Sequence, residues 1–424
     1  MVAKKLNIWT VQIGEPLPIK KGVRKQRMSL LCEKAVDMGH SIIRFASAFD
    51  HITKSFYSNE DVEIRIKNNY TLKLFRGLGY KKNISISRIF DHIIVVYKIA
   101  RNLKVLMNRS QKPDIILVAT PPHTIAYRVV KLAKKHKIPV VVDIRDQWPD
   151  IFFDWVPPVL HGLCKVLLYF DYYKIKFALS NSTGITAMME DLLSWGMNYS
   201  QRSRSQLDRV FYIGTAAIGT LPPIINNIRL RNVYLECKGK IVFVFIGTFN
   251  NYYNPAIVIH VARRIWNEGY QQAIFLLAGD GDYYRSIEET AKDVPNVKLL
   301  GWLRQDEITS LLSFSSVGLC TLTQDRAAFP NKVFIYFSAF LPVITSTKGE
   351  LKELIEKNKI GFFYHPNDIE GLYNCVRKFI EDPWLIKEMR KNVENIFWEK
   401  FCDTKIYTAF VEYLELVTEN YKKV

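Results

Sequence analysis

At 424 residues the chain is too long for one ordinary hydrophobic core, which predicts two domains. With 48% hydrophobic and 24% charged residues it is expected to be globular rather than disordered, and the lack of an uninterrupted apolar run of about 18 residues predicts no membrane-spanning helix. Residues 1–220 hold 34 Lys and Arg against 17 Asp and Glu, a balance of +17, whereas the rest hold 25 against 24, or +1. A field this one-sided attracts a polyanion or an anionic membrane surface. The opening MVAKKLNIWTVQIG passes from two lysines into a strand-like run without a cleavage site, so no signal peptide is expected. Six cysteines without CxxC spacing read as reduced, buried thiols of a cytosolic protein.

In chain order, strands are predicted over 6–13, 41–46, 114–119, 140–144, 184–187 and 210–213, with amphipathic helices over 24–38, 86–109 and 123–136 between them. The rhythm restarts after residue 240. Strands are predicted there over 241–246, 273–278, 297–300, 317–321, 343–345 and 361–364, and helices over 255–268, 283–292, 306–314, 331–340, 350–357 and 369–381. Such alternation implies right-handed crossovers and parallel sheets covered on both faces. The resulting α/β fold has two doubly wound, Rossmann-like domains facing across a cleft. They span 1–215 and 241–395, with a linker at 216–240 and a C-terminal helical segment at 396–424 expected to pack back on the first domain.

Ligands of such sheets collect at the carboxyl ends of strands. The loops expected there are Gly14-Glu15-Pro16-Leu17-Pro18, followed by Lys20, Lys21, Arg24, Lys25 and Arg27; Thr120-Pro121-Pro122-His123; and Arg145-Asp146-Gln147-Trp148-Pro149-Asp150. In the second half they are Gly247-Thr248-Phe249-Asn250, Gly279-Asp280-Gly281 and the turn Pro330-Asn331-Lys332. A helix opening at Asn331 aims unpaired backbone N–H groups and the positive end of its dipole at one point, a seat for phosphate. Lys332 adds a full charge to it. The apolar, aromatic segment 156–178, with lysines at intervals, reads equally as an interfacial helix on a membrane or as a long buried helix.

The ordered set GEPLP, MGHSIIRF, FDHITK, DIRDQWPD, LLAGDGDYYRSI, VKLLGWL and PNKVFIYFSAFLPVI resembles the family 4 retaining glycosyltransferases of GT-B fold, and within them bacterial enzymes of O-antigen or capsular polysaccharide synthesis. The resemblance implies a hexosyl or N-acetylhexosaminyl transferase that takes a nucleotide-diphosphate sugar as donor and a glycan, frequently lipid-linked, as acceptor. It would work in the cytoplasm, peripheral to the inner face of an anionic membrane, with no metal, no cofactor and no nucleic-acid partner. It further implies that His123 touches the donor sugar and that Lys332 neutralises the leaving diphosphate. Gly14, Gly247, Thr248, Gly279, Gly281, Pro330 and Asn331 would then hold the donor, while Glu15, Arg24, Arg145 and Asp146 shape the acceptor side. Arg145 and Asp146 read equally as an internal ion pair.

Two departures from the family pattern stand out. Ile335 occupies the position of the glutamate that binds ribose hydroxyls, and Ala327 that of its partner eight residues earlier. Isoleucine forgoes charge-assisted bonds of roughly 1.5 to 3 kcal/mol each. The loop after Gly247 also lacks the Arg and Lys often used on the diphosphate, leaving that charge to Lys332 and the basic residues of 20–27. Three rivals therefore remain: a non-catalytic GT-B relative that partners an active transferase, a nucleotide-sugar epimerase, and a nucleic-acid binder, the last without any recognised RNA- or DNA-binding pattern.

Overall fold

A computed structural model describes residues 5–17, 19, 25–82, 85–109, 111–219, 227–253 and 255–423, with backbone alone at 155. The chain forms two compact units, one of Met1–Tyr212 with Ile406–Val424 and the other of Ile213–Lys405.

In the first unit the strands are β1 (Asn7–Val11), β2 (Ser41–Ser47), β3 (Phe49–Asp50), β4 (Ser55–Phe56), β5 (Val62–Lys67), β6 (Tyr70–Phe75), β7 (Ile115–Thr120), β8 (Val140–Ile144), β9 (Gly184–Ala187) and β10 (Arg209–Val210). Its helices are α1 (Arg27–Asp37), α2 (Ile86–Asn108), α3 (His123–His136), α4 (His161–Leu167), α5 (Tyr169–Ser180) and α6 (Glu190–Ser200). Eight strands pair in the order β10-β9-β8-β7-β1-β2-β6-β5, all parallel except the edge strand β5. Strands β7 and β8 are buried at every position, as expected where helices cover both faces. The hairpin β5–β6 was not anticipated. Its outer strand reads Val-Glu-Ile-Arg-Ile-Lys, with only its apolar positions partly covered, an edge blunted by charge.

The segment 156–178 is not one long helix. It breaks into a short turn (Pro158–Leu160), α4 and α5. The buried reading of this segment is overturned: no residue of α4 is buried, and in α5 only Ile175, Ala178 and Leu179 are. Val159, Leu163, Val166, Leu167, Tyr169 and Phe170 are all exposed.

The second unit contains α7 (Ile228–Cys237), then β11 (Ile241–Ile246), α8 (Ala256–Asn267), β12 (Ala273–Ala278), α9 (Tyr284–Ala291), β13 (Val297–Gly301), α10 (Gln305–Ser313), β14 (Val317–Cys320), α11 (Asn331–Ser338), β15 (Val343–Thr345), α12 (Glu350–Asn358), β16 (Gly361–Phe363), α13 (Ile369–Glu381) and α14 (Trp384–Ile396). The six strands pair in parallel in the order β13-β12-β11-β14-β15-β16. Strand order reverses between β11, which neighbours β12, and β14, which leads toward β16. Loops leaving the carboxyl ends of β11 and β14 therefore meet at the topological switch point, where ligands of open α/β sheets bind. The final helix, α15 (Asp403–Lys422), buries Phe410, Tyr413 and Leu414 in the first unit's core. Among the described residues no helix is long and apolar enough to cross a membrane.

Candidate functional site

In the second unit, two tight loops and one helix converge. After β11 the chain turns at Gly247 (φ +151°), and after β12 at Gly279 (φ +159°) and Gly281 (φ +151°). These loops lie against each other. A Cβ at Gly279 would stand 1.8 Å from the Gly247 carbonyl oxygen, and one at Gly281 would stand 2.5 Å from that of Phe249. The Phe249 amide donates to the Asp280 carbonyl (3.0 Å), and the Tyr283 amide to that of Phe249 (3.1 Å). Only glycine permits backbones this close. A cavity of about 190 Å³ opens beside them, lined by Gly247, Thr248, Gly279, Asp280, Trp302 and Ile308 among others. The Trp302 indole is largely exposed, which offers a planar face, and Asp280 offers a carboxylate.

Helix α11 brings in Lys332. The helix is anchored by Tyr336, whose hydroxyl accepts from the Ile246 amide (2.9 Å) and donates to the Leu319 carbonyl (3.1 Å), tying α11 to β11 and β14. Gly318 makes room for that ring, since a Cβ there would stand 2.5 Å from it. One turn earlier, the ammonium of Lys332 lies 3.9 Å from the ring centroids of both Phe245 and Tyr253. It would stand 2.6 Å from a Cβ at Gly247. Lys332 is 7% exposed, and among the described residues its Nζ has no hydrogen-bond partner. Burial pushes its pKa down to about 8, with the Cys320 thiol opposing the shift. A desolvated cation held over two rings, beside glycine loops at a switch point, is arranged to receive an anion.

Pro330 caps α11 in extended conformation, and Asn331, its first residue, is exposed. Ile335 is buried on the same helix and supplies no polar atom from its side chain.

In the first unit the expected residues separate into two groups. Gly14 (φ +98°) has open space where a Cβ would point. Beside it Glu15 is buried and committed: its carboxylate accepts from the Met28 and Ser29 amides, the Ser29 hydroxyl and Arg44. Arg145 pairs with Asp143 and reaches 4.0 Å from Glu15. Asp143 in turn pairs with Arg27 at 2.9 Å; burial alone would raise its pKa, but Arg145 and Arg27 outweigh that and hold it low. Arg145 is therefore in an internal ion pair, though with Asp143 rather than its neighbour Asp146, and Asp146 has the Gln147 amide among its contacts. Three arginines thus face two carboxylates, and Nη2 of Arg145 is buried without a partner among the described residues. Lys20, Lys21 and Arg24 lie outside the described residues.

The second group forms at the start of α3. His123 is 5% exposed and its Nε2 is 2.7 Å from Oδ1 of Asp171, which also takes Lys174 at 3.1 Å. Burial would raise the Asp171 pKa, yet the bonds and charges of His123 and Lys174 dominate and keep it low. An ionised carboxylate only accepts, so Nε2 donates, and a neutral ring keeps its lone pair on Nδ1. That Nδ1 is buried without a partner among the described residues. His123, Trp148 and Asp171 line an apolar cavity of about 430 Å³. The loop carrying Trp148 is pinned by Asp150, which accepts from Tyr172 (2.6 Å), Trp195 (2.6 Å) and Tyr199 (2.9 Å).

Asp171 and Trp302 were not foreseen as site residues, and Trp148 only as part of its loop. An exposed tryptophan just past a strand was the available signal for Trp302. Among the described residues no group of His, Cys, Asp or Glu is placed to hold a metal ion.

Residues 240–382 match the family model described as glycosyl transferases group 1. The matched domain runs from β11 to α13 and contains Gly247, Gly279, Gly281, Lys332 and Ile335. No curated protein matches the chain by sequence. Solved structures resemble it in fold. They include Anabaena HepE in complex with UDP (TM-score 0.66, 16% identity, 96% of this chain and 99% of that one). Sucrose-phosphate synthase from Thermosynechococcus elongatus has a TM-score of 0.72 at 13% identity, over 98% of this chain and 100% of that one. The lipopolysaccharide outer core galactosyltransferase WaaB, in its apo form, has a TM-score of 0.56 at 14% identity, over 96% and 99%. Each unit of this chain therefore has the Rossmann-like construction of GT-B glycosyltransferases.

Proposed function

We propose that the protein is a glycosyltransferase that moves a hexosyl or N-acetylhexosaminyl group from a nucleotide-diphosphate sugar to a glycan acceptor, with retention at the anomeric carbon. The observation that carries this reading is Lys332, a buried, unpartnered cation set between two aromatic rings against Gly247. In this reading the diphosphate replaces the water that Lys332 has lost, and the charge that develops on the leaving group meets a fixed ammonium in a water-poor site. Gly247 and Gly279 admit the phosphates, and the base lies in the cavity beside Trp302. His123, with its Nε2 proton held by Asp171, offers Nδ1 to the reacting sugar. HepE in complex with UDP and with UDP-glucose supports a uridine nucleotide as the first to try.

The acceptor is lipid-linked in this account and belongs to cell-surface polysaccharide synthesis of the O-antigen or capsule kind. The exposed apolar face of α4 and α5 and the basic first 220 residues support attachment to the inner face of an anionic membrane from the cytoplasmic side. The test is transfer of labelled sugar from nucleotide sugars to glycolipid extracted from bacterial membranes. Wild-type protein is expected to label it and His123→Ala is expected not to, with its fold intact by circular dichroism. Unchanged turnover by the variant would remove His123 from the reacting centre.

Ile335 favours one second reading, a non-catalytic relative that partners an active transferase. Without the carboxylate expected at that position, ribose affinity falls. Nucleotide binding gained by Ile335→Glu and absent from the wild type would support that alternative.

A further inference from the structure

His123 and Asp171 meet across two helices. His123 opens α3, and Asp171 stands in the first turn of α5, so their 2.7 Å contact lasts only while α5 keeps its place beside α3. The residue after Asp171 is Tyr172, whose hydroxyl donates to Oδ1 of Asp150 at 2.6 Å. From α6, Trp195 donates through Nε1 to Oδ2 at 2.6 Å, and the Tyr199 hydroxyl lies 2.9 and 3.0 Å from the two oxygens. The rings that carry these donors pack on each other, Tyr172 stacked on Tyr199 with centroids 5.9 Å apart and Trp195 4.9 Å from Tyr199.

Asp150 thus gathers three side-chain donors from α5 and α6, and it does so from the loop that closes the other side of the dyad. Trp148, two residues earlier, has its ring 6.5 Å from that of His123, and Phe152, two residues later, packs on Trp148 at 4.9 Å. Both line the cavity that His123 and Asp171 line, whereas Asp150 does not. Burial, and then the hydrogen bond and charge of Asp150, raise the pKa of Tyr172 and Tyr199, so both keep their protons and stay donors at neutral pH. A carboxylate that accepts from several aimed donors is a stiff joint, since a group that cannot accept them all leaves donors unpaired.

We propose that Asp150 is a positioning residue: by holding Tyr172 it sets where α5 presents Asp171, and thereby keeps the Asp171 carboxylate on Nε2 of His123 and the Nδ1 lone pair free for a ligand. The inference rests on the reading of His123 above and adds to it a residue set behind the cavity wall.

The test reads the Nε2 proton of His123 directly. In full-length protein carrying isotopically labelled histidine, a proton shared with a carboxylate across 2.7 Å is expected as a downfield, slowly exchanging NMR signal, assigned by its absence from His123→Gln. Asp150→Asn sets an amide N–H group against the donors and should speed exchange of that proton by about tenfold or more. Tyr172→Phe, which cuts the link to α5, should do the same. Tyr199→Phe removes a donor to the same carboxylate from α6 and should leave the proton as in the wild type. A mere brace of the fold would make the two tyrosine variants alike. An unchanged proton in Tyr172→Phe, or equally fast exchange in Tyr199→Phe, would overturn the inference, even where Asp150→Asn fails to fold. In the transfer assay, Asp150→Asn and Tyr172→Phe should lower kcat by about tenfold to a hundredfold, with the KM for the nucleotide sugar and the affinity for UDP unchanged. Faster exchange with unchanged kcat would sustain the positioning of His123 and defeat its part in the reaction instead.

Discussion

Replacing Lys332 by methionine should make the protein more stable and less able to bind its donor. In the native state the ammonium is buried and its pKa stands at about 8, against about 10.5 in an unfolded chain. That gap corresponds to about 3 kcal/mol by which burial of the charge opposes folding. The attraction of the two rings at 3.9 Å for the ammonium is part of that same balance, so the net gain for Lys332→Met is about 3 kcal/mol. Below pH 8 both states of the wild type hold the proton, so the whole gain is present at pH 7. Between pH 8 and 10.5 the unfolded chain binds the proton that the native state has lost, wild-type stability rises with pH, and the advantage fades. For a unit of this size the shift in melting temperature is about 6 to 12 °C at pH 7 and near zero at pH 10.5. Loss of one charge-assisted contact should weaken nucleotide diphosphate binding by about tenfold to a hundredfold. Scanning calorimetry at both pH values and titration with UDP measure the two effects. A variant less stable than wild type at pH 7, or one that binds UDP equally well, would refute the reasoning.

The same lysine sets a pH dependence for the wild type: above about pH 8, diphosphate binding should weaken and be accompanied by proton uptake, read from binding heats in buffers of different ionisation enthalpy. Gly279→Ala should prevent folding of the second unit, because its Cβ would stand 1.8 Å from a backbone oxygen, and circular dichroism should show the loss. Gly247→Ala meets the movable end of Lys332 instead, at a φ of +151° that strains an alanine, so it should fold with reduced stability and lose donor affinity by titration. Tyr336→Phe leaves the Ile246 amide and the Leu319 carbonyl without their partner, a cost of about 1 to 3 kcal/mol in chemical denaturation.

The βα rhythm was legible because parallel strands buried on both faces are short apolar runs, and most predicted strands of the second unit lie within one or two residues of those observed. The β5–β6 hairpin escaped because Glu63, Arg65, Lys67 and Lys73 interrupt it, and edge strands carry charge. No proline or glycine marks the break at Leu168, so 156–178 read as one helix. Glycine loops and Lys332 were visible as motifs. The rings that flank Lys332 were not, because Phe245 and Tyr253 come from a strand and a loop about eighty residues earlier. Asp171 joins His123 only when α5 packs beside α3.

The site around Lys332 is proposed to bind a nucleotide diphosphate. The measurement that tests it most directly is calorimetric titration of the purified full chain with UDP, GDP and their common sugars at low salt. Micromolar to sub-millimolar binding of one nucleotide is expected, weakened about tenfold to a hundredfold in Lys332→Met. No binding of any nucleotide, by the wild type or by Ile335→Glu, would contradict it.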